Sequence, residues 1–293
     1  MPTAVVHPVS RVAIEAAADA ARRGLIDPVL IGPRGKIEAA AAEAGLSAAE
    51  WALIDTEHSH EAAGRAAMLA GTGKVAAIMK GSLHSDELLA AILKPEAGLR
   101  TERRLSHAYV MSIGSYPKPF VITDAAVNIA PDLAAKADIV QNAADLWRVL
   151  FGAGGLLPKV AVLAAVEMVN PRMQATLDAA ALCKMAERGQ ITGCVIDGPL
   201  AFDNAVSKEA AREKGIVSPV AGDADILVVP DIEAGNMLAK QLSFLGGAEA
   251  AGIVLGARVP IMLTSRADSE RARLLSCAIA VLMAEARRTG TPR

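Results

Sequence analysis

Aromatic residues are scarce in this chain: only 3% of its 293 residues are Phe, Trp or Tyr. A surface that stacks nucleic-acid bases needs such side chains. The formal net charge is −2, and no basic stripe runs along the sequence. Both observations argue against a nucleic-acid partner, and the charge also argues against binding to an anionic membrane surface.

Cysteine and long apolar runs are scarce as well. The three cysteines form no C-x-x-C pair, which argues against a disulfide framework or a zinc knuckle. The longest apolar run, residues 274–284, is about half the length of a membrane span, and the N-terminus has no basic region followed by an apolar one. We therefore expect a cytoplasmic protein with no membrane partner.

The sequence also lacks the common cofactor motifs. It contains no G-x-x-x-x-G-K-[ST] loop, no G-x-G-x-x-G opening a βαβ unit, and no G-x-S-x-G elbow. His58-x-His60 is the nearest approach to a metal pair, and its carboxylate neighbours are Glu57 and Glu61. We therefore expect neither a metal site nor a bound cofactor.

What the chain does contain is an alternation of apolar strands and helices. Hydrophobic residues make up 53% of the sequence, which indicates a folded protein. Continuous apolar strands between helices are typical of a parallel sheet covered on both faces, so we predict an α/β fold. The strands predicted in the first part are residues 28–32, 51–55 and 75–79, and the helices are residues 10–24, 36–44, 60–69 and 87–93.

The alternation restarts after a basic, Gly-broken link at residues 95–107, which predicts a second domain. Its first two strands, 108–113 and 120–123, are close enough to form a hairpin. The last strand and helix are too few to form a domain of their own. We therefore expect two α/β domains, residues 1–104 plus 258–293 and residues 105–257, with a cleft between them.

The stretch Thr264-Ser265-Arg266-Ala-Asp268 follows the last predicted strand and precedes a long helix. Hydroxyl groups, a guanidinium and free backbone N–H groups at a helix start suit an anion such as phosphate. A purely structural interpretation is also open: Ser265 and Asp268 fit a capping box, with Ser265 as the N-cap.

A second candidate anion turn, Lys80-Gly-Ser82-Leu-His84-Ser85, follows the third predicted strand. In open α/β sheets ligands bind beyond the carboxyl ends of the strands. Gly81 would let a ligand approach the backbone, and the lysine, serines and histidine supply donors. Alternatively, Ser85 only caps the next helix and His84 is a solvated loop residue.

Three arginines, Arg100, Arg103 and Arg104, lie in the link that follows. They are candidates for anion binding, or for salt bridges to neighbours such as Glu102. Polar residues also follow several of the later strands, where they either line the ligand edge of the sheet or form turns. These residues are Asp124, Asn128, Glu167, Asn170, Asp197, Asp203, Asp231 and Asn236.

Five separated segments, in the same order, resemble the phosphate acetyltransferase and phosphate butyryltransferase family. The resemblance covers nearly the whole chain. The segments are Lys80–Ser85, Asp197-Gly-Pro-Leu-Ala-Phe-Asp203, Ser218-Pro-Val-Ala-Gly-Asp-Ala-Asp-Ile-Leu-Val-Val-Pro-Asp-Ile-Glu-Ala-Gly-Asn236, Leu245-Gly-Gly-Ala-Glu-Ala-Ala-Gly252 and Thr264-Ser-Arg266.

The resemblance implies transfer of a short acyl group between coenzyme A and inorganic phosphate, with coenzyme A as a substrate. It also implies two α/β/α domains, similar to isocitrate and isopropylmalate dehydrogenases, and a homodimer. The family's catalytic Ser-Arg pair falls on Ser265 and Arg266, and a catalytic Asp is implied nearby, for which Asp268 is the candidate. We expect phosphate or coenzyme A to contact Thr264, Lys80, Ser82, His84, Ser85, Arg100, Arg103 and Asn236.

This chain departs from the acetyl-specific pattern in two places. Asp268 lies closer to the Ser-Arg pair, so it is either the base or only a cap. The arginine expected in the helix after Ser85 is replaced by apolar residues, and Arg100, Arg103 or Arg104 takes its place. Both departures favour the butyryl-type branch. Alternatives are a metal- and NAD-dependent dehydrogenase on the same scaffold, or a catalytically silent protein that binds coenzyme A esters.

Overall fold

The computed structural model describes residues 1–263 and 268–290. Short strands alternate with helices along these residues, and most strand residues are buried. The strands are β1 (Pro2–Val6), β2 (Asp27–Gly32), β3 (Ala52–Asp55), β4 (Ala77–Lys80), β5 (Ser106–Ser112), β6 (Phe120–Thr123), β7 (Lys159–Leu163), β8 (Val195–Leu200), β9 (Ile226–Val228), β10 (Glu249–Leu255) and β11 (Ile261–Met262). The helices are α1 (Arg11–Arg22), α2 (Arg34–Glu43), α3 (Ser59–Gly71), α4 (Ser85–Ile92), α5 (Leu133–Phe151), α6 (Gln174–Glu187), α7 (Phe202–Val206), α8 (Lys208–Glu213), α9 (Ile232–Phe244) and α10 (Glu270–Thr289).

The described residues divide into two compact units. The first unit contains Met1–Arg103 and Ala251–Gly290, and the second unit contains Arg104–Ala250. The first unit therefore includes the end of the chain as well as its beginning. The domain bounds expected from the sequence, residues 1–104 plus 258–293 and residues 105–257, stay a prediction.

The sheet of the first unit has the strand order β3-β2-β1-β4-β11-β10. Its neighbouring strands are parallel except β10, which is antiparallel to β11. The central strand β1, which begins with Pro2, was not predicted from the sequence. Proline is tolerated at the first residue of a strand, where its missing N–H costs little.

Alanine-rich helices cover this sheet. Helix α3 turns five alanines inward, and each of them is nearly inaccessible to solvent: Ala62, Ala63, Ala66, Ala67 and Ala70. Small side chains allow a helix to lie close to the strands, so a core with few aromatic residues is still filled. This packing explains how a chain with 3% aromatic residues folds around a large sheet.

The sheet of the second unit has the strand order β5-β6-β9-β7-β8. Strands β5 and β6 are antiparallel, with Val110 opposite Val121, so the predicted hairpin is confirmed. The remaining pairs are parallel. Strands β6, β9, β7 and β8 therefore end at the same edge of the sheet. Both units are mixed α/β structures, and the predicted α/β class is confirmed.

Candidate active site

The candidate segment at residues 264–268 follows strand β11. This strand runs parallel to β4, with Met262 opposite Met79, so both strands end at the same edge of the sheet. Lys80 is the next residue of β4 at that edge. Thr264, Ser265 and Arg266 lie outside the described residues. The topology thus shows that the chain enters this segment from a strand that ends beside Lys80.

The turn after β4 packs against the end of β1. The Ser82 amide N–H donates to the carbonyl oxygen of His7 at 2.8 Å, and the hydroxyl groups of Ser82 and Ser10 are 2.7 Å apart. A Cβ atom added to Gly81 would lie 2.5 Å from the Val6 carbonyl oxygen. Glycine is therefore needed here for contact with β1, which is a different reason from the ligand approach expected from the sequence.

Lys80 ends β4 before this turn, His84 lies in it, and Ser85 begins α4 after it. The Lys80 ammonium donates to the Leu83 carbonyl oxygen at 3.2 Å, which bends the side chain back over its own turn. His84 occupies the N-cap position of α4 and its side chain is exposed, while Ser85 is the first residue of the helix. The alternative that Ser85 caps α4 is therefore wrong. The turn presents an exposed imidazole at the positive end of a helix.

The three arginines of the link have different surroundings. Arg100 is exposed and its backbone forms an isolated antiparallel bridge with Ala257, and Arg103 is half-buried. Arg104 belongs to the second unit, where its Nε donates to the Asn128 Oδ1 at 2.8 Å. Arg104 is thus tied to a side chain of the second unit, whereas Arg100 and Arg103 belong to the first unit with Lys80.

Asp124 and Asn128, after β6, form a closed network. One Asp124 carboxylate oxygen accepts the amide N–H groups of Ala126 and Val127, and the other accepts from the Asn128 side-chain amide at 2.6 Å. Both side chains are buried. These contacts fix the turn after β6, so the two residues are turn-forming groups, one of the two roles that the sequence left open.

Asn236 is the fifth residue of α9, the helix that follows β9 at the carboxyl edge of the second unit's sheet. Asp231 caps this helix by accepting the Ala234 N–H at 2.8 Å. The Asn236 side-chain amide donates to the Ala125 carbonyl oxygen at 3.2 Å. Its NH₂ group therefore holds α9 against the turn after β6, and its predicted contact with substrate stays a prediction.

The segment Ser218–Asn236 of the resemblance also contains two aspartates that were not singled out from the sequence. Asp223 and Asp225 lie at the amino end of β9, where Lys118 contacts both carboxylates at 2.9 and 2.6 Å. Lys159 pairs with Asp223 at 2.5 Å. Burial opposes the charge of Asp223, but the hydrogen bonds from both lysines outweigh it and lower the pKa of its carboxyl group. These ion pairs join the amino end of β9 to the turn before β6 and to β7, away from the carboxyl edge of the sheet.

Helix α10 begins later than the sequence predicted. Its N-cap is Ser269, whose hydroxyl accepts the Ala272 N–H at 3.1 Å, and its first residue is Glu270. The alternative in which a capping box at Ser265 and Asp268 begins this helix is therefore wrong, because Asp268 precedes the N-cap; Ser265 itself lies outside the described residues. The Asp268 carbonyl oxygen accepts a hydrogen bond of 2.7 Å from the Arg273 Nη1.

The cysteines have the character of core residues. Cys277 is buried, and Cys183 and Cys194 are partly buried. Burial raises the pKa of the Cys183 and Cys194 thiols to about 11 and that of Cys277 to about 12. All three are thus protonated near neutral pH, and none has the thiolate character of a nucleophile.

His58 and His60, whose spacing comes nearest to a metal-binding pair in the sequence, each have a partner nearby. His58 is the N-cap of α3 and accepts the Glu61 N–H at 3.1 Å, while His60 contacts Glu87 at 3.0 Å. Within residues 1–263 and 268–290, no group of three or more His, Cys, Asp or Glu side chains could hold a metal ion. No helix in the described part of the chain is long and apolar enough to cross a membrane.

Comparison with known proteins identifies the family. The sequence model described as "Phosphate acetyl/butaryl transferase" matches residues 57–281, which is more than half of the chain. The chain belongs to this family of phosphate acyltransferases. The resemblance inferred from the five segments is thereby confirmed.

Curated relatives in this family carry both acyl names. The chain is 57% identical to the phosphate acetyltransferase of Rhizobium meliloti, over 98% of this chain and 90% of that protein. It is 41% identical to the phosphate butyryltransferase of Clostridium acetobutylicum, over 92% of this chain and 89% of that protein. Both names occur among relatives of nearly full length, so the preference for the butyryl-type branch stays a prediction.

Solved structures of relatives share the fold. The branched-chain phosphotransacylase from Enterococcus faecalis V583 has a TM-score of 0.83 and is 30% identical, covering 97% of this chain and 99% of that one. A 4-hydroxythreonine-4-phosphate dehydrogenase from Klebsiella pneumoniae has a TM-score of 0.57 at 15% identity, covering 97% and 98% of the two chains. The second likeness shows a shared dehydrogenase-like fold alone.

Proposed function

We propose that this phosphate acyltransferase moves a short-chain acyl group between coenzyme A and inorganic phosphate. The observation that carries the proposal is the family match over residues 57–281, because it includes both the turn after β4 and the segment after β11. In the forward direction a phosphate oxygen attacks the thioester carbonyl carbon. The new C–O bond forms first and gives a tetrahedral intermediate; its collapse breaks the C–S bond, and the leaving thiolate takes up a proton.

Ser265 and Arg266 are proposed as the catalytic pair. A guanidinium and a hydroxyl can bind the attacking phosphate and stabilise the oxyanion of the tetrahedral intermediate. Asp268 is proposed as the group that exchanges a proton with the thiol. No acyl-enzyme is required, because binding both substrates side by side supplies the proximity.

The proposed substrate-binding residues come from both units. In the first unit they are Thr264, Lys80, Ser82, His84, Ser85, Arg100 and Arg103. Three observations support the turn after β4: it lies at the carboxyl end of a parallel strand, its His84 side chain is exposed, and β11 ends beside it. Asn236 is proposed to contribute from the second unit, through the part of its side chain that Ala125 does not engage.

The remaining features of the enzyme are proposed from the family resemblance. They are two domains with the active site in the cleft between them, a homodimer, a cytoplasmic location, and coenzyme A as substrate with no bound cofactor. Light scattering of the purified protein tests the homodimer directly. A monomer at assay concentration would contradict that part of the proposal.

The function is tested by following free thiol release from acetyl-CoA and butyryl-CoA, with and without phosphate. We expect thiol release that depends on phosphate, and the faster substrate identifies the acyl branch. Release with neither acyl chain would support a catalytically silent binding protein. Reduction of NAD in the presence of a divalent metal would instead support a dehydrogenase.

A further inference from the structure

Strands β1 and β4 end side by side at the carboxyl edge of the first unit's sheet. They are parallel, with Val6 opposite Lys80. Helix α1 begins soon after β1, and helix α4 begins soon after β4, so two helices start at this edge. Each of them directs the positive end of its dipole to the edge, which favours a negatively charged ligand there.

The end of β1 holds the backbone of Ser82, which the proposed function places in contact with substrate. The Ser82 N–H donates to the His7 carbonyl oxygen at 2.8 Å. The His7 Nδ1 lies 3.3 Å from the Ser82 carbonyl oxygen and donates to it in the tautomer that carries the proton on Nδ1. His7 has a φ of +53°, a left-handed conformation that costs free energy in a residue other than glycine. Because its N–H is already used, Ser82 donates to a ligand through its hydroxyl group.

The direction of the Ser82 hydroxyl group depends on Ser10. Ser10 is the N-cap of α1, and its Oγ accepts the Ala13 N–H at 3.4 Å. The same Oγ lies 2.7 Å from the Ser82 Oγ, so one of these two hydroxyl groups donates to the other. If Ser82 is the donor, its hydroxyl hydrogen points at Ser10. If Ser10 is the donor, the Ser82 hydrogen is free to point at a ligand.

An anion beside Ser82 selects the arrangement in which Ser10 donates. The hydrogen bonds then all run the same way: from the Ala13 N–H to the Ser10 Oγ, from the Ser10 hydroxyl to the Ser82 Oγ, and from the Ser82 hydroxyl to the anion. Each bond in such a chain polarises the next one, so the last bond is strengthened. The chain starts at the N-terminus of α1, where the helix dipole acts in the same direction.

We propose that Ser10 is a positioning residue that directs the Ser82 hydroxyl group at a phosphate group of a substrate. The inference rests on the proposed function, in which the turn after β4 binds inorganic phosphate or coenzyme A. Both ligands present phosphate oxygens, which accept hydrogen bonds from a hydroxyl group. Ser10 acts through Ser82, so its effect falls on substrate binding.

Three substitutions of Ser10 separate its role as a helix cap from its role as a donor. Threonine keeps a hydroxyl group and still caps a helix. Glycine removes the hydroxyl group but is a tolerated N-cap. Aspartate caps a helix as well as serine does, but its carboxylate only accepts hydrogen bonds. Ser10→Asp therefore draws the Ser82 hydrogen away from the ligand while leaving α1 capped.

Ser207 provides a matched control in the second unit. It is the N-cap of α8, and its hydroxyl group accepts the Ala210 N–H at 3.2 Å. Ser207→Gly and Ser207→Asp therefore change a serine cap in the same two ways as the Ser10 variants. An effect that comes from helix capping alone would appear at both positions.

The experiment measures kcat, the KM for phosphate, the KM for acyl-CoA and Tm in wild type and these variants. We expect one of the two KM values to rise by about 10-fold in Ser10→Gly and by about 10- to 100-fold in Ser10→Asp, the scale of losing a hydrogen bond to a charged group. The KM that rises shows whether inorganic phosphate or coenzyme A supplies the phosphate group. Ser10→Thr and both Ser207 variants should keep wild-type KM values, and the Tm of Ser10→Asp should stay near that of the wild type.

Wild-type KM values for both substrates in Ser10→Asp would overturn the positioning role and leave the proposed function standing. Equal rises in KM in the Ser207 variants would also overturn it. If Ser10→Asp does not fold, Ser10→Gly is judged by the same criteria.

Calorimetric titration with phosphate and with coenzyme A tests the positioning role without turnover. Suppose that the wild type releases no thiol but binds one of these ligands more tightly than Ser10→Asp does. That result would contradict the proposed function and support the positioning role. Equal affinities in the two proteins, or binding of neither ligand by the wild type, would overturn the positioning role.

Discussion

His107 is a buried residue whose charge state connects stability to pH. It lies in β5 with 1% of its surface exposed. Burial lowers the pKa of its imidazole from 6.5 to about 4, although the nearby Asp124 carboxylate acts in the opposite direction. In the unfolded chain the imidazole binds a proton near pH 6.5, whereas the folded protein resists protonation until about pH 4.

The direction in which stability changes with pH follows from the two pKa values, 6.5 in the unfolded chain and about 4 in the folded protein. Above pH 6.5 the imidazole is neutral in both states and costs no stability. Between pH 6.5 and about 4 the unfolded state binds more protons, so the free energy of unfolding falls as the pH falls. The full effect of this one residue is about 3 kcal/mol. Urea unfolding at several pH values should show this slope, and His107→Gln should flatten it; an unchanged slope in the variant would contradict the assignment.

At the scale of single residues, the sequence predicted positions better than partners. It placed Ser82 and His84 in a turn after a strand, where the structure has them, whereas Lys80 is the last residue of that strand and Ser85 the first residue of the next helix. It could not show that Gly81 packs against β1, because β1 is distant in sequence and was not recognised. It also missed Asp223 and Asp225, whose lysine partners are distant in sequence: Lys118 lies in the turn before β6, and Lys159 is the first residue of β7.

The turn between β4 and α4 depends on a glycine for its geometry. A Cβ on Gly81 would lie 2.5 Å from the Val6 carbonyl oxygen and 2.8 Å from that of His7, and backbone atoms cannot move aside cheaply. Gly81→Ala should therefore displace the turn, lower kcat and cost about 1–3 kcal/mol of stability. Thermal unfolding and the thiol-release assay measure the two effects.

Gly64 provides the control for this substitution. It lies inside α3, and a Cβ added to it would meet no atom within 4 Å. Gly64→Ala should raise stability by about 0.5–1 kcal/mol because alanine favours the helix, and it should leave kcat unchanged. If Gly81→Ala and Gly64→Ala changed stability in the same direction, the packing explanation for Gly81 would be wrong.

At the scale of elements, the sequence predicted some strands well and missed others, and length did not decide which. Strand β6 has the predicted bounds. Neither β1 nor β10 was predicted, and β10 is interrupted by Gly252. The start of α10 was misplaced because Ser265 and Ser269 both suit an N-cap, and only the Ala272 hydrogen bond distinguishes them.

At the scale of the whole molecule, the α/β class and the family were both predictable. The class follows from apolar strands alternating with helices, and the family from five segments in a fixed order. The acyl-chain preference was not predictable in the same way. It depends on the shape of a pocket, which no single sequence segment determines. Phosphate acetyltransferases and phosphate butyryltransferases both match this chain along most of its length.

The central claim is that this protein transfers an acyl group to phosphate at a site containing Arg266. The most direct measurement is the rate of acyl phosphate formation from acetyl-CoA or butyryl-CoA and phosphate, trapped as the hydroxamate, in wild type and Arg266→Ala. We predict one acyl phosphate per thiol released by the wild type. We also predict a kcat lower by about 10²-fold or more in the variant, the scale expected for losing one transition-state donor. Wild-type turnover in Arg266→Ala, or thiol release without acyl phosphate, would contradict the account.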